Sequence, residues 1–109
     1  MRYQLRYLPS FVEDYWDTLQ YISHELYAPQ AARRLLDHTD KSIAMLADSP
    51  RFGKIFVTLE GKETPYRRLV VRKHIIFYRI DEQAQTVFIH RIVYGARDLE
   101  RIVDKLPND

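Results

Sequence analysis

The sequence predicts an α+β domain with the element order β-α-α-β-β-β-α, in which a helical hairpin packs on a small, mainly antiparallel sheet. Three observations predict it. Apolar residues alternate near the N-terminus and again through the C-terminal half, the period of a half-buried strand. Between these regions apolar residues recur at helical spacing in two stretches separated only by Tyr27-Ala28-Pro29. The later apolar runs are joined by short polar connections, close enough to form an antiparallel meander.

Taken in order, Arg2–Leu8 sets Tyr3, Leu5 and Tyr7 on one face and Arg2, Gln4 and Arg6 on the other. Pro9 ends this strand, and Ser10 with Glu13 three residues later reads as a capping box opening a helix. Asp14 and Asp17 in its first turns suit the helix dipole. Phe11, Tyr15, Leu19, Ile22 and Leu26 form its buried stripe. Pro29 fits the first position of a second helix, whose apolar face is Ala32, Leu35, Leu36, Thr39, Ile43, Leu46 and Ala47. That helix stops before Pro50, since the residue ahead of a proline disfavours helix. The stretch up to Pro65 is ambiguous, with Ile55–Leu59 a candidate short extended piece. Tyr66–Arg72 and His74–Ile80 read as strands reversing near Arg72-Lys73. After a polar turn at Asp81–Gln85, Thr86–Tyr94 alternates with Val87, Ile89, Arg91 and Val93 on one face. Gly95 breaks that strand, and Asp98 caps a short final helix carrying Leu99, Ile102, Val103 and Leu106.

The 109 residues suit one domain spanning 1–109, and 46% apolar content is enough to build a core rather than leave the chain disordered. The absence of cysteine excludes a disulfide scaffold, a thiolate metal site and a cysteine nucleophile. No apolar run approaches a membrane span, and the N-terminus lacks the layout of a signal peptide, so a cytoplasmic location is expected. His24, His38, His74 and His90 fall at unrelated spacings, and three glycines cannot build a phosphate-binding loop; neither a metal nor another cofactor is expected. Charge is uneven. Residues 1–50 hold five Lys/Arg against seven Asp/Glu, residues 51–109 twelve against eight, and Tyr66–Ile80 has five basic side chains and no acidic one. Such a segment attracts an acidic peptide or a phosphate backbone, and a solvated strand edge carries positive charge equally well.

One constellation offers the groups that RNA cleavage without metal requires: a base for the 2′-hydroxyl, a cation for the phosphorane and an acid for the leaving oxygen. It comprises Arg67, Arg68, Arg72, Lys73, His74, Arg79, His90, Arg91, Tyr94 and Arg97. Each also has an ordinary structural use, Arg79 and Arg91 as cross-strand partners of carboxylates among them.

Residues 74–98 read His-Ile-Ile-Phe-Tyr-Arg-Ile, a polar gap, then Val-Phe-Ile-His-Arg-Ile-Val-Tyr-Gly-Ala-Arg-Asp. This closely resembles the RelE/ParE toxin superfamily of type II toxin–antitoxin systems. There a strand ending Phe-Tyr-Arg is followed by one ending near Arg-Asp. Leu46-Ala47-Asp48-Ser49-Pro50-Arg51-Phe52-Gly53 resembles the exit from that family's second helix, and the element order matches over nearly the whole chain. Members of the RelE-like branch cut messenger RNA in the ribosomal A site. They share an arginine two residues before the Phe-Tyr pair, lysines on the preceding strand, and a tyrosine in the C-terminal helix. Here those places hold Ile75, the neighbourhood of Arg67 and Arg68, and no tyrosine in Asp98–Leu106. The Ile-Phe-Tyr-Arg strand is similar to the ParE-like branch, whose members act on DNA gyrase. Many of them carry His where this chain has Tyr94.

The resemblance therefore implies a plasmid-stabilisation type toxin that inhibits gyrase and is neutralised by a cognate antitoxin, an acidic, DNA-binding product of the adjacent gene. Arg72, Arg79, Arg91 and Arg97 are the candidate target-binding residues. Val12 and Trp16, apolar and offset from the first helix's core stripe, and Tyr27, at the hairpin bend, are the candidate antitoxin-binding residues. Two alternatives stay open. One is a ribosome-dependent messenger endoribonuclease using Arg67, Arg68, His90, Tyr94 and Arg97. The other is a non-toxic module that binds its antitoxin and helps regulate transcription.

Overall fold

The computed structural model describes residues 2–95 and 99–106. Its elements are β1 (Gln4–Tyr7), α1 (Pro9–Gln20), a π-helical turn (Tyr21–Glu25), α2 (Pro29–Met45), β2 (Lys54–Val57), β3 (Glu63–Val71), β4 (His74–Asp81), β5 (Thr86–Tyr94) and α3 (Leu99–Asp104). They form one five-stranded sheet in the order β1-β5-β4-β3-β2. Every pairing is antiparallel except β1 with β5, which run parallel with Gln4 opposite Thr86 and Tyr7 opposite Ile89. The α+β class and element order read from the sequence hold, with β2 as the ambiguous segment resolved into a strand.

The sheet is buried on both faces. Under the helical hairpin, Phe11, Leu35, Ile43 and Leu46 meet Leu69, Val71, Ile76, Tyr78, Val87, Ile89 and Ile92. On the opposite face a smaller core joins Phe56, Tyr66, Ile75 and Phe77 to Val103 and Leu106 of the C-terminal arm. This two-sided cover explains β4, buried without alternation from His74 to Tyr78, as befits a central strand.

Several local expectations are corrected. Ser10 does not cap α1: Leu8 occupies the N-cap in extended conformation without a side-chain cap, and Pro9 takes the first helical turn. The Ser10 hydroxyl instead donates to the His90 carbonyl at 2.7 Å. The first helix does not run regularly to Leu26. It widens into the π turn, which leaves Leu26 54% exposed and outside the core stripe. Val87, Ile89, Arg91 and Val93 do not share a face. The β4–β5 register steps from Phe77–Arg91 to Tyr78–Ile89, so His90 is the extra residue of a bulge. Val87, Ile89 and Ile92 then serve the hairpin side and Val93 the other. The proposed Asp98 cap lies outside the described residues, and α3 is described from Leu99.

Gly53, just past α2, is required by close approach. A methyl group there would lie 2.6 Å from the Arg68 carbonyl and 2.7 Å from the Tyr78 hydroxyl. That hydroxyl accepts from the Gly53 amide at 2.8 Å and donates to the Pro50 carbonyl at 2.7 Å. Burial pushes its pKa up, so it remains a protonated donor inside the core. The loop after α2 is thus tied to the central strand.

Candidate functional site

β1 ends at Tyr7, but β5 continues to Tyr94, leaving its outer edge without a neighbouring strand. The first turns of α1 cover that edge. Leu8 donates its amide to the Ile89 carbonyl at 3.0 Å, Ser10 its hydroxyl to His90, and Asp14 Oδ2 accepts the Ile92 amide at 3.2 Å. Asp14 also receives both Nε and Nη2 of Arg91, at 2.5 and 3.0 Å. The carboxylate raises the Arg91 pKa, keeping the guanidinium charged. Asp14 therefore bonds a strand rather than serving the dipole of α1, and Arg91 pairs with a helix carboxylate rather than a cross-strand one.

The basic constellation is dispersed. Arg67 donates to the carbonyls of Gly53 at 2.7 Å and Arg51 at 3.3 Å, securing the loop. Arg68 is exposed on β3 beside Phe52 and Lys54. Arg79 stacks its guanidinium 4.6 Å above the Phe88 ring, toward the end of β4 far from the β3–β4 reversal. His90 is fully buried, edge to face with Tyr66 at 5.0 Å. Arg97 lies outside the described residues.

What the fold does bring together is the end of the sheet at the β3–β4 reversal. Arg72, at φ 56°, turns the chain, and its Nη2 lies 2.9 Å from His38 Nε2 on α2. Lys73 is exposed beside it. His74 packs edge to face against Tyr94 at 5.5 Å, and burial lowers its pKa. The His74–Tyr94 pair separates two hollows. A groove of about 790 Å³ lies toward the helices and reaches Asp17, Thr18, Tyr21, Ile22, Leu26 and Ala31. A shallower hollow of about 330 Å³ borders Val70, Arg72, Ile75 and Gly95.

The candidate apolar contacts are all on the surface. Val12 is 53% exposed, Trp16 62% and Tyr27 88%, so Trp16 does not lie under the sheet. Val12 and Trp16 are four residues apart and share a face of α1. Tyr27 sits at the hairpin bend with φ 50°, an unfavourable conformation for a bulky side chain.

The profile of the ParE toxin of type II toxin–antitoxin systems, parDE, matches residues 5–105. The chain belongs to this family. The toxin thus has a cognate antitoxin as its partner. No curated protein sequence matches it. Among solved structures its fold is similar to a chain of the toxin–antitoxin complex RelBE2 from Mycobacterium tuberculosis. The TM-score is 0.58 at 17% identity, covering 89% of the toxin and 95% of that chain. Among the described residues no helix is long and apolar enough to cross a membrane, and no His, Asp and Glu side chains group to hold a metal ion.

Sequence reasoning placed Arg72, His74 and Tyr94 among the candidates without bringing them into one place, because the Val71–His74 and His74–Tyr94 registers do that. It missed Asp17, Thr18 and Tyr21 as groove residues. Their only signal was a helical spacing that also described solvent-facing positions.

Proposed function

We propose that the toxin arrests growth without enzymatic chemistry, by binding DNA gyrase through its basic sheet end, and that antitoxin bound over the exposed face of α1 blocks this. The observation that supports the reading is Ile75. It stands where the RNA-cutting relatives carry arginine, and it packs with Phe56, Phe77 and Val103 in the small core under α3. An apolar side chain there offers no cation to a developing phosphorane. His90, the candidate base, is sealed in the sheet, and Arg67 is engaged by loop carbonyls.

Purified toxin is expected to inhibit gyrase supercoiling while leaving messenger intact on translating ribosomes. Codon-specific cleavage on those ribosomes would overturn the reading. Replacing Arg72 and Arg97 together by Ala is expected to abolish growth arrest while circular dichroism stays native. Full toxicity of the folded double variant would remove both from the target surface. Absence of growth arrest by the wild type on induction would favour the regulatory module instead.

A further inference from the structure

The groove between the π turn and the β3–β4 reversal combines features that neither the core nor the sheet requires. His74 is 9% exposed, and its Nδ1 is buried without a hydrogen-bond partner. Buried polar atoms are seldom left so, since an unmet hydrogen bond costs on the order of 1–3 kcal/mol. Beside it Lys73 is exposed, and Tyr94 is 57% exposed. The opposite wall offers Ile22 and Leu26 as apolar surface, with Tyr21 and Thr18 beside them. The wall carries one carboxylate, Asp17.

We propose that this groove is where the antitoxin seats a carboxylate next to an apolar side chain, the carboxylate facing Lys73 and His74 and the apolar group lying against Ile22 and Leu26. The proposal rests on the family's antitoxin partnership and not on the gyrase reading. Charge selects the occupant. Lys73 stands on the sheet side of the groove, with Arg72 next to it in the chain bordering the neighbouring hollow, and an acidic segment neutralises Lys73 where a basic one would be repelled. The π turn supplies the apolar wall by carrying Leu26 out of the core stripe.

A proton is linked to this occupation. In the free toxin, burial favours neutral His74. A carboxylate in the groove favours the imidazolium, so the complex takes up a proton and tightens as pH falls. Among the described residues, the other charged or titratable groups lining the two hollows at His74 are Asp17 and Tyr21 from the α1 side and Lys73, Arg72 and Tyr94 from the sheet, while His38 of α2 meets Arg72. Asp17 opposes the incoming carboxylate.

The test is titration of full-length toxin with purified cognate antitoxin at pH 8 and pH 6, with gyrase absent. For wild-type toxin Kd is expected to fall on acidification, toward a limit of about tenfold for each pKa unit by which the complex raises His74, a limit reached only below both pKa values. Lys73→Met, at an exposed turn, is expected to weaken binding about tenfold, and Asp17→Asn to strengthen it. His74→Asn, provided it folds, is expected to remove the pH dependence. The two surface variants decide the matter even if His74→Asn does not fold. Unchanged Kd in both, or a wild-type Kd independent of pH, overturns the proposal. Normal gyrase inhibition alongside that result would leave the target reading standing.

Discussion

Asp14 joins a helix to two consecutive residues of a strand through one side chain. One carboxylate accepts from Arg91 twice and from the Ile92 amide once, where β5 has outrun its parallel neighbour. Its side chain is 19% exposed and that of Arg91 30%, so solvent screens the pair only in part. Asp14→Ala is expected to cost about 2 kcal/mol, by stranding a strand amide and a half-buried cation. Chemical denaturation reads this directly, and a loss under 0.5 kcal/mol, within the ordinary range of surface substitutions, would show that the edge is held elsewhere. His74 makes a second prediction at this scale. Its folded-state pKa lies below the unfolded value of 6.5, so the unfolded chain binds the extra proton first. Stability of the free toxin is therefore retained above that value and declines as pH falls through it. The denaturation midpoint is expected to drop between pH 7 and pH 5.5 in wild type and to change less in His74→Asn.

Among the elements, the helices and central strands were the most legible in the sequence, because burial imposes a period on them. Phe11, Leu35 and Ile43 are core residues where helical spacing placed them, and Pro29 opens α2. What escaped detection depends on partners distant in sequence. Ser10 and Asp14 look like residues of a helix start, and only the unpaired end of β5 gives them other work. The bulge at His90 interrupts a period-two pattern that the residues themselves do not break. The candidate site was legible as a list of types and illegible as a place, since hairpin register decides which arginines share an end of the sheet. The loop after α2 carries its own test. Gly53→Ala drives a methyl group into the Arg68 carbonyl and the Tyr78 ring, atoms that are fixed by sheet and core. The expected cost is about 3 kcal/mol, at the upper end for overpacking. A thermal midpoint equal to that of wild type would show that the loop can withdraw from β4.

At the scale of the whole molecule, the sheet separates two surfaces with different demands. The hairpin side presents Val12 and Trp16 on a helix whose other side packs Phe11, Tyr15 and Leu19 against the core. Exposed aromatics of this kind anchor interfaces. Trp16→Ala is expected to leave folding intact and weaken antitoxin binding by about 2 kcal/mol, near thirtyfold in Kd. Isothermal titration against the cognate antitoxin measures it, and an unchanged Kd in the folded variant would place the interface off this face of α1.

The parallel pairing of β1 with β5 couples Gln4 to Thr86, so the chain's opening strand is completed by one of its last. During synthesis the ribosome releases β1 long before β5 exists, and contacts this remote in sequence form slowly. Until β5 emerges, Arg91 has not reached Asp14, and the Ile89 and Ile92 anchors for Leu8 and Asp14 are missing. A nascent chain therefore cannot assemble the finished sheet end until Thr86–Tyr94 has emerged to take up β1 and the start of α1. Ribosome-bound chains stalled before Thr86 should be cut readily within β1 and α1 by protease. Chains stalled far enough downstream for β5 to clear the exit tunnel should resist.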